Sequence, residues 1–362
     1  MSAADRWENE DVRVRPGRRS RPRTKTRPRH EDAVAGFVTA VDRGRYTCLV
    51  PADGMPTDGT PPAFGRTVQA MRARELGRRA VAVGDRVALV GDTSGEPDAL
   101  ARIVRIEPRV SELRRSTDDQ VDPDTGQATL GSEKVVVANA DQLVIVTAVA
   151  DPEPRTGFID RCLVAAYTGH LQPVLMLTKA DLADPAPLLA RYADLELPVL
   201  VSRRSTAGTA DEGATVLDSD GLATFTTTVR DRVSVMIGHS GVGKSTLVNA
   251  LVPDADRATG SVTGVGKGRH TSTSAVALPL PDGGWVIDTP GVRSFGLAHV
   301  TADDLLETFD DLLPGTVDCP PGCDHTGPEV GCALDDWVAT GQATAARLAS
   351  FRRLLASRAG TD

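Results

Sequence analysis

The residues with the clearest chemical meaning form the stretch GHSGVGKST, which matches the pattern GxxxxGK[ST]. The apolar run VSVMI precedes it and the helix-like segment TLVNALV follows, which is the strand–loop–helix context of a phosphate-binding loop. Main-chain N–H groups would close around phosphates, the lysine would reach the β- and γ-phosphates, and the serine hydroxyl would ligate Mg²⁺. The alternative is a glycine-rich turn with a surface lysine. The expected nucleotide contacts are Gly238, His239, Ser240, Gly241, Val242, Gly243, Lys244, Ser245 and Thr246.

A second strand-like run ends in Asp288 and continues as Thr-Pro-Gly, in the stretch WVIDTPGV. In a P-loop GTPase this aspartate would hold the Mg²⁺ shell, and the N–H of Gly291 would meet the γ-phosphate. Asp-Thr-Pro-Gly alone is an ordinary turn, but its position after a strand favours the nucleotide role. Between the two motifs, residues 264–274 have the composition of a switch segment. Its candidate Mg²⁺ ligands are Thr271, Ser272 and Thr273.

A GTPase also needs a segment that reads the base, and none follows Asp-Thr-Pro-Gly. Upstream, TKAD ends a strand-like run, where ligands approach an open α/β sheet. The Asp181 carboxylate can accept hydrogen bonds from guanine N1–H and the 2-amino group, whereas adenine has no donors there. We expect the Lys179 stem to cover the base, with further contacts from Thr178 and from Ser202, which ends the strand-like LPVLVS. This motif order predicts a circularly permuted GTPase.

Four potential metal ligands lie close together in CPPGCDHTGPEVGC. Three thiolates and an imidazole suit a closed tetrahedral zinc site. Their spacings are three, one and six intervening residues, unlike the common paired CxxC. The alternative is small buried cysteines with a surface histidine, but the segment is too rich in proline, glycine and acid to hold itself together. The expected ligands are Cys319, Cys323, His325 and Cys332.

The elements that must position these residues fall into successive regions. Residues 33–113 contain five short alternating strands, which predict a small barrel such as an OB-fold, with a small sandwich as the alternative. Residues 114–134 are polar and have the character of a linker. Residues 135–300 alternate buried-type strands with helical spacing, which predicts an α/β domain with a parallel sheet. We expect residues 301–362 to form a helical domain around the metal ligands.

Composition limits the class of protein. The chain has 362 residues and 40% hydrophobic content, enough for more than one domain. No apolar run reaches the roughly 18 residues that a membrane span needs. The N-terminus lacks the apolar core of a signal peptide, and five cysteines do not suggest a disulfide framework. We therefore expect a soluble, cytoplasmic protein without a membrane partner.

Charge is distributed unevenly. Residues 13–29 hold eight arginines, one lysine and no acidic residue, although the whole chain has a net charge of −8. With few apolar residues, residues 1–32 cannot bury a core, so we predict a disordered basic arm. Such an arm would neutralise nucleic-acid phosphates. The alternative is a solvated tail that aids solubility.

The order of the motifs TKAD, GHSGVGKST, GRHTST and DTPGVRSFGL, with the barrel and the metal ligands, resembles the ribosome small subunit-dependent GTPase A family (RsgA, also called YjeQ). The resemblance covers roughly residues 33–355. It implies an OB-fold, a circularly permuted GTPase domain, one structural Zn²⁺ per chain and Mg²⁺ with GTP. It also implies hydrolysis of GTP to GDP and phosphate, stimulated by the small (30S) ribosomal subunit late in its maturation.

Two positions depart from that family. Thr178 stands where asparagine is usual, and Arg203 follows Ser202 where alanine is usual. We therefore expect weaker hydrogen bonding between the base-reading and phosphate-binding loops, and a less strict preference for guanine.

The residue that orients the attacking water also differs from many GTPases. A glutamine often follows the glycine of Asp-X-X-Gly, but here the position is Val292, which has no polar atom. His270 in the switch segment is the nearest candidate, since it can accept a proton near neutral pH, and the family resemblance points to it as well. The alternative is that His270 only contacts 16S rRNA.

Two other functions remain open. A P-loop ATPase or kinase would bind ATP as well as GTP and would have no use for TKAD. A nucleotide-gated RNA-binding module would show negligible turnover even with its partner. For the GTPase we expect a monomer.

Overall fold

The computed structural model of the protein describes residues 30–42, 44–56, 61–62, 64–77, 80–115, 134–204, 217–252, 275–289, 295, 297 and 299–358. Within these ranges, no helix is long and apolar enough to cross a membrane. The predicted basic arm up to residue 29 lies outside the described residues. So do His270, Thr271, Ser272, Thr273 and Gly291.

The five predicted N-terminal strands form a closed barrel. They are β1 (Val34–Asp42), β2 (Arg45–Val50), β3 (Arg66–Arg72), β4 (Arg86–Gly91) and β5 (Ala101–Ile106). The strand order is β1-β2-β3-β5-β4, and β4 pairs back with β1, so the barrel is confirmed over the sandwich alternative. Alternate residues such as Val68 and Ala70 on β3 are fully buried, which is the period of two expected for a strand with one buried face.

A predominantly parallel sheet follows. Its strands are β8 (Gln142–Ala148), β9 (Gln172–Thr178), β10 (Val199–Val201), β11 (Val233–Ile237), β12 (Val276–Pro279) and β13 (Trp285–Asp288). The order is β10-β9-β8-β11-β13-β12, and β12 alone of these runs antiparallel to its neighbour. All seven residues of β8 are buried, as expected for a strand covered on both faces. The carboxyl ends of the five parallel strands therefore meet along one edge.

In the described part of residues 135–300, four helices accompany this sheet. They are α1 (Thr156–Thr168), α2 (Ala186–Tyr192), α3 (Ser219–Val229) and α4 (Lys244–Leu251). Strand order changes direction between β8 and β11, because β9 and β10 follow β8 on one side while β13 lies on the other side of β11. In open α/β sheets, ligands bind outside the carboxyl ends of the strands at such a switch point.

The barrel and the parallel sheet are joined through β1, which pairs with β12 at Ala40 and Val276. A two-stranded sheet, made by β6 (Glu112–Arg115) and β7 (Lys134–Ala138), also forms at the segment predicted to be a linker. Both ends of the 114–134 segment thus lie in strands. The limits of the individual domains stay predictions.

The C-terminal region contains α5 (Ala302–Leu306), α6 (Leu334–Ala339) and α7 (Ala345–Ser357), with short 3-10 turns between them. Phe351 of α7 packs edge-on against Phe309, with 5.3 Å between ring centroids. The buried Asp160 carboxylate of α1 lies 3.4 Å from both Arg191 of α2 and Arg353 of α7. The shared Asp160 carboxylate therefore fixes the C-terminal helix against α1 and α2, whereas the contact between Phe351 and Phe309 lies within the C-terminal region.

Candidate functional site

The phosphate loop, residues 238–245, turns between β11 and α4 at the switch point of the sheet. Gly241 and Gly243 have φ angles of 83° and 94°, in the left-handed region that favours glycine. A Cβ on Gly238 would lie 2.4 Å from the carbonyl oxygen of Val146 on β8, so no side chain fits there. Helix α4 begins at Lys244 without a side-chain cap, which leaves its first N–H groups directed at the loop.

The aspartate of Asp-Thr-Pro-Gly reaches the same point. The Lys244 ammonium contacts the Asp288 carboxylate, which stands at the end of β13 opposite Met236 of β11. The next residue, Thr289, donates a hydrogen bond from its hydroxyl to the Met236 carbonyl at 2.8 Å. Strand β13 is therefore tied to β11 directly beside the phosphate loop.

The base loop, residues 178–182, is tied to the phosphate loop by a side chain. The buried Thr178 hydroxyl donates to the carbonyl of Val242 at 2.5 Å, and the carbonyl of Thr147 lies 3.3 Å away. A hydroxyl has one proton and serves one acceptor at a time, whereas the amide of asparagine has two N–H donors. Thr178 thus retains a hydrogen bond between the two loops, but it offers one donor fewer than an asparagine would.

Lys179, the next residue of the base loop, contacts the segment that follows β8. Its backbone is left-handed, with φ 56°, and its ammonium contacts the main-chain carbonyl of Asp151 and lies 3.9 Å from that residue's carboxylate. Asp151 follows β8, so β8 and β9 each contribute to this corner. The sequence offers no signal for Asp151, because its role depends on the pairing of β8 with β9.

The second base loop, residues 202–204, lies next to the first. The N–H of Ala180 donates to the Ser202 carbonyl at 3.1 Å, and the exposed Asp181 accepts a hydrogen bond from the N–H of Arg204 at 2.8 Å. Ser202 is buried, and its hydroxyl has no hydrogen-bond partner among the described residues.

Asp218 also contacts the second base loop, since Arg203 donates its N–H to the Asp218 carboxylate at 2.6 Å. Asp218 is not among the site residues predicted from the sequence. Asp218 is the N-cap of α3, and aspartate is among the residues preferred at that position.

His239 is packed beneath the phosphate loop. Its ring lies 4.2 Å from that of Phe158 on α1, and Phe158 in turn lies 6.3 Å from Phe295. We therefore expect His239 to support the loop with its side chain and to meet a nucleotide only through its main chain.

The four predicted metal ligands are brought together. The ligand atoms of Cys319, Cys323, His325 and Cys332 all lie within 4.8 Å of one another. His325 Nδ1 lies 3.6 Å from the Cys319 sulfur and 3.7 Å from the Cys332 sulfur. Burial, with the neighbouring thiols, raises the pKa of Cys332 to about 11, and a divalent cation would favour the thiolates instead. Donor set and spacing fit a metal such as zinc.

Groups around this cluster hold the ligands in place. His325 Nε2, on the far side of the ring, lies 3.5 Å from the Asp303 carboxylate. Arg352 of α7 donates from Nε to the His325 carbonyl at 3.1 Å and pairs through both terminal nitrogens with Asp335. The Arg352 guanidinium lowers the pKa of Asp335. Helices α6 and α7 thereby support the metal ligands.

Comparisons with known proteins agree with this arrangement. A family model described as RsgA GTPase matches residues 106–298. A relative from Chlorobaculum parvum, named small ribosomal subunit biogenesis GTPase RsgA, is 35% identical over 332 residues, covering 90% of this chain and 98% of the relative. A protein of the same name from Pseudomonas aeruginosa (strain LESB58) is 38% identical over 291 residues, covering 78% of this chain and 77% of the relative.

Two solved structures show the fold. One is YjeQ from Thermotoga maritima, and the other is YloQ, described as a circularly permuted GTPase. Both have a TM-score of 0.58 and 23% identity, cover 91% and 92% of this chain, and are themselves covered over 99% and 98% of their length. The permuted order predicted from the motifs is thus confirmed. This chain belongs to the RsgA GTPase family.

Proposed function

We propose that this protein is a GTPase that assists late maturation of the small (30S) ribosomal subunit. It hydrolyses GTP to GDP and phosphate, is stimulated by the subunit, and binds the 16S rRNA. The observation that carries the proposal is the convergence of the base loop, the second base loop, the phosphate loop and Asp288 on one edge of a permuted sheet. Its relatives are named for small-subunit biogenesis.

The nucleotide is held from base to phosphate along that edge. Asp181 accepts hydrogen bonds from guanine, the Lys179 stem covers the base, and the phosphate loop wraps the phosphates with its N–H groups. When nucleotide binds, Lys244 exchanges the Asp288 carboxylate for phosphate oxygens, because the phosphates carry more negative charge. Asp288 and the Ser245 hydroxyl would then hold Mg²⁺, which would neutralise phosphate charge.

Several assigned roles fall outside the described residues and rest on the sequence alone. Thr271 or Ser272 would supply a further Mg²⁺ ligand, and the N–H of Gly291 would meet the γ-phosphate. His270 orients or deprotonates the attacking water. The aliphatic Val292, which replaces the usual glutamine, supports this assignment.

One structural Zn²⁺ per chain is bound by Cys319, Cys323, His325 and Cys332. Described contacts support coordination through Nδ1 of the histidine, because that atom faces two of the sulfurs while Nε2 faces Asp303. A carboxylate on the second nitrogen of a metal-binding histidine fixes the orientation and tautomer of the ring.

RNA contacts are assigned to the barrel, the zinc region and the basic arm. The arm, within residues 1–32, has the composition that neutralises phosphates, whereas the chain as a whole is acidic. The domain limits 33–113, 135–300 and 301–362 are part of the proposal. We also infer a monomer that works in the cytoplasm, where ribosomal subunits mature.

A GTPase assay with and without purified small subunits tests this function. We expect slow hydrolysis alone, strong stimulation by 30S subunits, and competition by GDP far better than by ADP. Equal competition by ATP would favour a P-loop ATPase or kinase. Binding to subunits without stimulated turnover would favour a nucleotide-gated RNA-binding module.

A further inference from the structure

Asp218 binds two separate stretches of main chain. One carboxylate oxygen accepts the N–H of Gly221 at 3.0 Å, which is the ordinary cap of helix α3. The other oxygen accepts the N–H of Arg203 at 2.6 Å, and the Asp218 N–H returns a hydrogen bond to the Arg203 carbonyl at 3.0 Å. A single carboxylate therefore joins the second base loop to the start of α3.

The stretch held by Asp218 also contacts the base reader. Directly after Arg203, the N–H of Arg204 donates to Asp181 at 2.8 Å. Arg204 also forms an isolated antiparallel bridge with Leu217, which places the residue before Asp218 beside the second base loop. Because the Asp181 side chain is exposed, this hydrogen bond from the Arg204 main chain restrains its carboxylate where packing does not.

We propose that Asp218 is a positioning residue for base recognition. By fixing the main chain at Arg203 and Arg204, it aims the Asp181 carboxylate at the hydrogen-bonding edge of guanine. The inference rests on the proposed role of Asp181 as base reader. It adds that the orientation of the Asp181 carboxylate depends on Asp218, which lies fifteen positions beyond Arg203 in the sequence.

Two features make this carboxylate suited to the task. Hydrogen bonds from N–H groups to an ionised acceptor are shorter and stronger than neutral ones, and both oxygens of Asp218 are used. Closing the chain between Arg203 and Asp218 costs conformational entropy, which the two hydrogen bonds between these residues offset.

The test compares GDP with IDP, which lacks the 2-amino group. Guanine uses both acceptor positions of Asp181 and hypoxanthine uses one, so the ratio of the two affinities measures how well Asp181 is aimed. Asp218→Asn replaces one of the two acceptor oxygens with an NH₂ group, so the N–H of either Arg203 or Gly221 would lose its acceptor. We expect GDP affinity to fall about tenfold, the loss of roughly one charged hydrogen bond, and the GDP-to-IDP ratio to fall with it.

Asp220→Ala is the matched control. Asp220 also lies in the first turn of α3, but its carboxylate lies 3.4 Å from the neighbouring Ser219 hydroxyl and not against the base loops. We expect this variant to keep the wild-type affinities and ratio. If Asp218→Asn does not fold, Asp218→Ser replaces it, since serine retains an N-cap oxygen for α3 but offers a single short acceptor.

Three outcomes separate the role of Asp218 from that of Asp181. A folded Asp218 variant with the wild-type ratio of GDP affinity to IDP affinity would overturn the proposal that Asp218 positions Asp181. If Asp181→Asn loses the guanine preference while Asp218→Asn keeps it, the base reader stands and only Asp218 is reassigned. If the wild-type protein shows no preference for GDP and Asp181→Asn changes nothing, the base-reader assignment fails, and the role of Asp218 fails with it.

Discussion

The Thr178 hydroxyl donates a hydrogen bond to the main-chain carbonyl of Val242, with 2.5 Å between the two oxygens. This hydrogen bond joins the loop proposed to read guanine to the loop proposed to hold the phosphates, across 64 positions of the sequence. It is therefore one of the contacts that fix the two loops relative to each other, beside the pairing of β9 and β11 with β8.

Replacing Thr178 by valine removes that proton at nearly constant volume. The buried Val242 carbonyl would lose its donor, which costs about 1–3 kcal/mol. We expect the free energy of unfolding to fall by that order and GDP affinity to weaken, as measured by urea denaturation and calorimetry. Thr178→Ser keeps a hydroxyl and is the control. Unchanged GDP affinity in a folded Thr178→Val protein would show that the tie does not serve binding.

Asp181→Asn should reduce guanine-nucleotide affinity by orders of magnitude while xanthine nucleotides are tolerated better. The amide offers one acceptor and one donor group where guanine presents two donors, whereas xanthine replaces the 2-amino group with a carbonyl. Removing each charge-assisted hydrogen bond costs roughly 1.5–3 kcal/mol. Calorimetry with GDP and XDP measures how far the variant shifts its relative affinity from the guanine to the xanthine nucleotide. Equal GDP affinity in mutant and wild type would remove Asp181 from the site.

The parts of the site that can be predicted from the sequence are those whose chemistry is local. Gly241 and Gly243 adopt left-handed backbone angles that few other residues tolerate. The spacing of these glycines in the sequence therefore predicts the conformation of the loop. By contrast, Asp218 and Asp303 act on groups that only the fold brings near. The pairing of β6 with β7 also escapes prediction, because a polar stretch separates the two strands in the sequence and only the fold brings them together.

His270→Ala should leave GTP affinity and subunit binding nearly intact and remove most of the subunit-stimulated hydrolysis. The physical reason is that Val292 cannot orient water, whereas an imidazole can accept its proton. Single-turnover hydrolysis at saturating 30S subunits, with binding measured separately, checks this. Hydrolysis at the wild-type rate by the fully bound variant would exclude a catalytic role. Loss of binding would assign His270 to docking.

Deleting residues 1–30 should weaken binding to ribosomal RNA or subunits and flatten its dependence on salt, with little change in GTP affinity. Each phosphate that the shortened protein no longer neutralises reduces the slope of log affinity against log salt by about 0.7–0.9. Filter binding across a salt series measures this slope. Identical slopes with and without the arm would leave it as a solubility tail.

Asp303→Ala should weaken zinc binding without abolishing it. In the structure the exposed Asp303 carboxylate lies 3.5 Å from His325 Nε2, and His325 Nδ1 faces the sulfurs of Cys319 and Cys332. Removing such a carboxylate typically costs about 10–100-fold in metal affinity, because the imidazole loses its orientation and some of its basicity.

Competition with a chelator of known affinity measures the change in zinc affinity. Metal analysis of the freshly purified, reduced protein should find one zinc per chain. Asp310→Ala is the control, since Asp310 is an exposed acid of the same region that is not among the metal ligands. Removing zinc from the wild-type protein should unfold the C-terminal region locally, because structural zinc contributes roughly 10–16 kcal/mol in small isolated domains. Zinc affinity that is equal in Asp303→Ala and wild type would mean that the buried surroundings of the His325 ring, and not the carboxylate, fix its orientation.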